Sequence, residues 1–352
     1  MASGAYTWQE LVSQPEIWQA TIKRFAAQQA GLQDVLDQTP FERVVVVGCG
    51  STHYLAQTVA AIIARCTDVP ARAFPSSELW LFSDVAPTSG ALLLAVSRSG
   101  TTTETLRALA RFREISDGTV LAVTCYPESP LARQVDFVLS APDAQEKSVA
   151  QTRSFTSMLL LTQMLAATMG EDGNDGNMFT RLHQLPGALH GLLERVGDLP
   201  RRLGEDLSID RIFFLGGGPF YGLASEAMLK TKEMSLSQAE VYHPLEFRHG
   251  PMSMVTERTL LVLLASDTGL KEELRVLEDM QKLGARTLAL VEDRAAFSDW
   301  QPDDLVELQS GLSEWERGTL YLPVIQRLAY HRAMIKGLNP DQPHNLTAVV
   351  EL

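Results

Sequence analysis

Cysteine is scarce in this chain: 3 residues in 352, at Cys49, Cys66 and Cys125. An odd, scattered set without a CxxC pair gives neither a disulfide framework nor a thiolate metal site, and it suits a reducing compartment. Positive charge is also short. Lys and Arg number 30 against 43 Asp and Glu, for a formal net charge of -13. A surface of that sign repels nucleic acid and anionic lipid, so neither is expected as a partner. Long apolar runs are missing. The best candidate, residues 158–169, contains Thr and Gln and falls short of the roughly 20 residues needed to cross a bilayer, so it reads as a buried helix. Residues 1–10 lack the basic-then-apolar order of a secretory leader, and a cytoplasmic location is expected. Two nucleotide signatures are absent as well. There is no GxxxxGK[ST], and Gly48-Cys49-Gly50 is followed by His53 where GxGxxG requires glycine.

What is present is an ordinary globular composition, 45% apolar and 21% charged, long enough for two domains. Trp8, Leu11, Trp18, Ile22 and Phe25 carry a helical period, which predicts a helix over residues 8–36 with Pro15 between turns. Val44, Val45, Val46 and Val47 form a β-branched run of the kind buried on both faces of a parallel sheet. Glycine ends the run and a helix follows. Residues 91–96 and 119–124 repeat the strand–turn–helix order, which is the α/β pattern. The pattern then returns. Ile212 to Gly218 matches Val44 to Gly50, and the apolar run 260–265 ends in Ser266-Asp267-Thr268-Gly269 as the run 91–96 ends in Ser97-Arg98-Ser99-Gly100. Two copies of one α/β unit are expected in tandem, each a doubly wound parallel sheet. The expected boundaries are an N-terminal helical segment 1–38, a first domain 39–170, a linker with helix 171–200, a second domain 201–338 and an extended tail 339–352. The join falls in the acidic, glycine-rich stretch 170–177.

Ser97, Arg98, Ser99, Gly100, Thr101 and Thr102 follow a buried strand and open a helix. Helix N-termini at the carboxyl ends of strands offer unpaired N–H groups to an anion. Ser97, Ser99 and Thr102 add hydroxyls, Arg98 a cation, and Gly100 close backbone approach. A single hydroxyl there would only cap the helix. The number of hydroxyls exceeds that need and points to a phosphate. In the second copy Asp267 stands where Arg98 does and would repel a phosphate, so the anion site is assigned to the first copy alone.

With Ser-x-Ser-Gly-x-Thr after the second predicted strand, the chain resembles the sugar isomerase (SIS) domain family over about residues 40–352. The block from Glu226 through Lys230, Lys232 and Glu233 to Glu246, Phe247, Arg248, His249, Gly250 and Pro251 resembles the isomerase half of glucosamine-6-phosphate synthase. The ending from Asn339 to Leu346 does too. Residues 146–155 look more like stand-alone aminosugar-phosphate deaminases and deaminase/isomerases. The resemblance implies two flavodoxin-like SIS subdomains acting on a phosphorylated sugar or aminosugar, without cofactor or metal. It implies Glu233 as the proton shuttle between C1 and C2 and His249 as the ring-opening acid/base. Lys230 would tune Glu233, and Lys232 points elsewhere. Further contacts carry over to Ser51, Thr52, Val149 (through its backbone N–H) and Gln151. By the same resemblance the protein is expected to be a homodimer with shared sites.

Two departures qualify it. No glutaminase domain precedes the helix, so glutamine-dependent synthesis is not expected. Thr347-Ala348-Val349-Val350 stands where the synthase has a tail lysine. The leading expectation is an aminosugar-6-phosphate deaminase/isomerase. The rivals are an isomerase of a non-amino sugar phosphate, a fructosamine-phosphate deglycase, and a non-catalytic sugar-phosphate sensor.

Overall fold

The computed structural model describes residues 3–170, 178–297 and 300–347. All of the join expected at 170–177 except Gly170, and tail residues 348–352, lie outside them. Two five-stranded, all-parallel sheets form. The first contains β1 (Arg43–Gly48), β2 (Ala71–Pro75), β3 (Ala91–Val96), β4 (Val120–Thr124) and β5 (Phe137–Ser140), in the order β2-β1-β3-β4-β5. The second contains β6 (Arg211–Gly216), β7 (Gln238–Tyr242), β8 (Thr259–Leu264), β9 (Arg286–Val291) and β10 (Asp304–Glu307), in the order β10-β9-β8-β6-β7. Each is the doubly wound order in which the second strand lies on one side of the first and the rest on the other.

Helices accompany both sheets: α1 (Ala5–Val12), α2 (Gln14–Gln38), α3 (Ser51–Thr67), α4 (Ser76–Leu81), α5 (Thr103–Ile115), α6 (Arg153–Met169), α7 (Met178–Leu182), α8 (Leu185–Val196), α9 (Leu199–Glu205), α10 (Phe220–Ser235), α11 (Leu270–Lys282) and α12 (Tyr321–Ile335). The single helix expected over residues 8–36 is two helices broken at Ser13, with Pro15 in the first turn of α2. Proline suits a first turn because its missing N–H has no helical partner there. The chain folds as two compact units. One comprises Met1–Val12, Ser148–Ala150 and Gly187–Leu346, and the other includes Ser13–Lys147 and Gln151–Pro186. The N-terminal helices are therefore divided between them.

In the unit of the first sheet, Val45, Val47, Leu93, Ala95 and Ala122 pack against Ala108, Leu109 and Phe112 of α5. In the other, Phe213, Leu215, Leu261, Leu263 and Val291 pack against Val276, Leu277 and Met280 of α11. Burial of such side chains stabilises by about 1.5–3 kcal/mol each. The residues 158–169 belong to α6, buried from Ser154 to Ala166, as their short apolar run implied. No described helix is long and apolar enough to cross a membrane.

Candidate active site

In an open α/β sheet the ligand crevice lies at the carboxyl ends of the strands where the strand order reverses. In the first sheet that point is between β1 and β3. The loops leaving these two strands carry Ser51, Thr52 and residues 97–102. Ser97 Oγ accepts the Gly100 N–H at 3.1 Å and lies 3.2 Å from Thr102 Oγ1. Ser99 Oγ accepts from Thr101 N–H at 3.2 Å and from its hydroxyl at 2.9 Å. Gly100 sits at φ 63°, where side chains are strained. Thr102 is the N-cap of α5 by position but makes no side-chain cap bond. Its hydroxyl is turned to Ser97 instead.

The remaining expected contacts divide. Thr52 Oγ1 accepts the Cys49 N–H at 2.9 Å and donates to the Cys49 carbonyl at 3.0 Å, which fixes the β1–α3 turn. Ser51 is buried at the first position of α3. Arg98 does not extend as a free cation. It is buried, and its Nη1 lies 3.4 Å from Glu146 Oε2. The backbone N–H of Val149, expected to meet substrate, instead donates to the Asp341 carbonyl at 3.0 Å. Asp341 in turn accepts from Thr7 N–H and Thr7 Oγ1, both at 2.8 Å, so the tail is tied to α1. Gln151 is different. Its Oε1 is buried without a hydrogen-bond partner among the described residues, and so is Oε2 of Glu104 in the first turn of α5. Buried polar atoms left unpaired cost free energy, and in native proteins they call for a ligand, water or ion.

In the other unit α10 carries Glu226, Lys230 and Glu233 along one face, spaced i, i+4 and i+7. Lys230 is 1% exposed, which rules out a solvated salt-bridge face. Its ammonium lies 3.5 Å from Glu226 Oε1 and donates to Glu233 Oε2. Glu226 is fully buried while Glu233 is 18% exposed. No described residue donates to Glu233 Oε1. One oxygen is held and the other is open, which is how a carboxylate base is presented. Lys232 is exposed. Glu226 was missed as a site residue, although its spacing from Lys230 was in plain view.

His249 lies on the exposed turn between two 3-10 segments, Glu246–Arg248 and Pro251–Met254. Phe247 anchors the turn by packing on Phe213 at 4.9 Å, and Arg248 pairs with Asp279. No hydrogen bond or ion pair joins the His249 imidazole to any described residue, Glu233 included. His243 stacks on Tyr221 at 4.0 Å, consistent with a structural place.

The second copy of the loop refines one expectation. Asp267 is not a free negative charge: Arg317 donates to it twice, at 2.7 and 2.6 Å. The described residues contain no His/Cys/Asp/Glu group able to hold a metal ion.

A family model for the SIS domain matches residues 40–168 and 207–297. The glutamine–fructose-6-phosphate aminotransferase (isomerizing) of Photorhabdus laumondii is 29% identical over 98% of this chain, and that of Zymomonas mobilis 29% over 97%. The chain spans 58% of the length of each. Among solved structures, glucosamine-6-phosphate deaminase from Thermotoga maritima aligns with 99% of this chain and 100% of its own at 26% identity and TM-score 0.78. The C-terminal domain of glucosamine-fructose-6-phosphate aminotransferase from Francisella tularensis shares the fold, with TM-score 0.87 at 24% identity over 97% of this chain and 100% of that one. Two SIS segments on two parallel sheets of matching strand order leave one conclusion: the chain belongs to the SIS domain family.

Proposed function

We propose that this protein is a phosphosugar isomerase-type enzyme, and specifically an aminosugar-6-phosphate deaminase/isomerase with glucosamine 6-phosphate as its substrate. The observation that carries the reading is the Glu233 carboxylate, with Oε2 fixed by a buried ammonium and Oε1 open. The 97–102 loop takes the phosphate. His249 opens the sugar ring by proton transfer. Glu233 removes the proton from C2 and returns it to C1, so that the aldose amine becomes an enolamine and then a C2 imine. Water adds to the imine and ammonia leaves, giving fructose 6-phosphate. This uses general acid/base chemistry alone. The unpaired oxygens of Gln151 and Glu104 suit the hydroxyls of a sugar. The likeness to the Thermotoga maritima deaminase over the whole of that chain supports the amine chemistry. Homodimerisation belongs to the same proposal, with the exposed turn of His249 completing a neighbouring subunit's site.

The test is ammonia and ketose release from glucosamine 6-phosphate, with loss of both in Glu233→Gln. Ketose formed only from an aldose phosphate without nitrogen would replace the reading by a plain isomerase. Ammonia-free release of glucose phosphate from an amine-linked fructose phosphate would replace it by a deglycase. Tight binding without turnover of any of these would replace it by a sensor.

A further inference from the structure

Two carboxylates hold corresponding places in the two halves. Glu146 lies seven residues before the start of α6 at Arg153 (153 minus 146), and Glu314 lies seven before the start of α12 at Tyr321 (321 minus 314). Both are buried. The loops they accompany also correspond: Ser266 Oγ accepts the Gly269 N–H at 2.8 Å, as Ser97 Oγ accepts that of Gly100 at 3.1 Å. Asp267 and Thr268 thus match Arg98 and Ser99.

The two carboxylates bond differently. Glu314 reaches the second loop. Its Oε2 accepts from the N–H groups of Asp267 at 2.7 Å and Thr268 at 3.1 Å, and its Oε1 from the Thr268 hydroxyl at 2.5 Å. Two successive amides and a hydroxyl on one anion are what such a loop offers a phosphate. There the protein supplies the anion itself. Glu146 bonds instead to the start of its own helix. Its Oε1 accepts from the Thr152 N–H and hydroxyl, both at 2.7 Å, and from the Ser154 N–H at 3.2 Å. Its Oε2 meets the Ser154 hydroxyl and the Arg98 guanidinium. The difference tracks the second loop residue. Asp267 has no donor to offer a carboxylate and is itself held by Arg317. Arg98 has a guanidinium, and its carbonyl is pinned to the end of β4 by the Cys125 N–H and the Thr124 hydroxyl, both at 3.0 Å.

We propose that Arg98 is a positioning residue that acts by restraining Glu146. Their ion pair keeps the Glu146 carboxylate off the amides of the 97–102 loop and leaves that loop open to phosphate, whereas Glu314 closes the loop at 266–269. The proposal rests on the reading of 97–102 as the phosphate loop. Its test titrates inorganic phosphate by calorimetry into the full chain as wild type, Arg98→Ala, Glu146→Gln and the double variant. Arg98→Ala should weaken phosphate by at least roughly tenfold, because Glu146 takes the amides. Glu146→Gln alone should bind like wild type. Adding Glu146→Gln to Arg98→Ala should restore affinity to within about threefold, since a neutral amide cannot compete as an anion. A merely structural ion pair would give a double variant no better than Arg98→Ala. Wild-type affinity in Arg98→Ala, or failed rescue in the double variant, would overturn the proposal. Absence of phosphate binding by wild type would instead overturn the loop reading itself. Arg98→Met, which keeps the aliphatic stem, carries the same comparison should Arg98→Ala not fold.

Discussion

Replacing Gly100 with alanine should damage the protein far more than the same change at Gly269, its counterpart in the second loop. At Gly100 the backbone has φ 63°, and a methyl carbon would lie 2.0 Å from Ser129 Oγ and 2.4 Å from Ser129 Cβ. The left-handed conformation costs a side chain about 1–2 kcal/mol. Relief of the overlap adds about 1–3 kcal/mol, because Ser129 opens a turn tied to the loop by the Leu131 N–H on the Gly100 carbonyl at 3.0 Å. The sum is about 2–5 kcal/mol. At Gly269 φ is -100°, and a methyl carbon meets only the ends of the Glu273 and Ser266 side chains at 3.0 Å. That change should cost under about 1 kcal/mol. Urea unfolding followed by circular dichroism measures both. Phosphate calorimetry should show Gly100→Ala weakened at least roughly tenfold and Gly269→Ala unchanged. Equal stability losses at the two glycines, or undiminished phosphate binding in Gly100→Ala, would refute the reasoning.

Lys230→Met strips the ammonium from between the Glu226 and Glu233 carboxylates, and unfolding should show a loss of about 3–5 kcal/mol, part of it recovered by adding Glu226→Gln. Burial lowers the proton affinity of His53 and of His331 from the ordinary value of 6.5. The unfolded chain then binds protons first as pH falls, so denaturant stability should be flat above about pH 7.5 and decline from about 6.5 downward. Replacement of either histidine by glutamine should flatten that decline, and an unchanged profile would contradict the burial argument. Burial also raises the pKa of Glu273, so its contribution favours the fold at low pH and is lost as pH rises above 4.5, and Glu273→Gln should remove that component in a titration of stability.

The strands legible in the sequence are the interior ones. β1, β3, β4, β6, β8 and β9 each have neighbours on both sides and read as continuous apolar runs. The four edge strands did not stand out. β2 is Ala-Arg-Ala-Phe-Pro, and β10 is Asp-Leu-Val-Glu with alternating burial. An edge strand buries less surface and needs no continuous apolar run, so composition marks it weakly. The break at Ser13 escaped a periodicity that runs through both helices. Of the proposed site, residue types and spacing gave the 97–102 loop, and the family resemblance gave Lys230 and Glu233. They gave no warning that the Val149 N–H is bonded to Asp341, because that bond joins residues remote in the chain. The burial of Arg98 against Glu146 was hidden for the same reason.

The central claim is that a carboxylate at position 233 moves a proton between the first two carbons of a phosphorylated aminosugar. Glucosamine 6-phosphate incubated with the protein in deuterium oxide and followed by proton NMR tests it most directly. The account predicts fructose 6-phosphate and ammonia, with the hydrogen gained at C1 either carried over from C2 or exchanged for solvent deuterium on the Glu233 carboxylate, and neither product nor exchange with Glu233→Gln. Turnover undiminished by Glu233→Gln, or no reaction of the wild-type protein with this substrate, would contradict it.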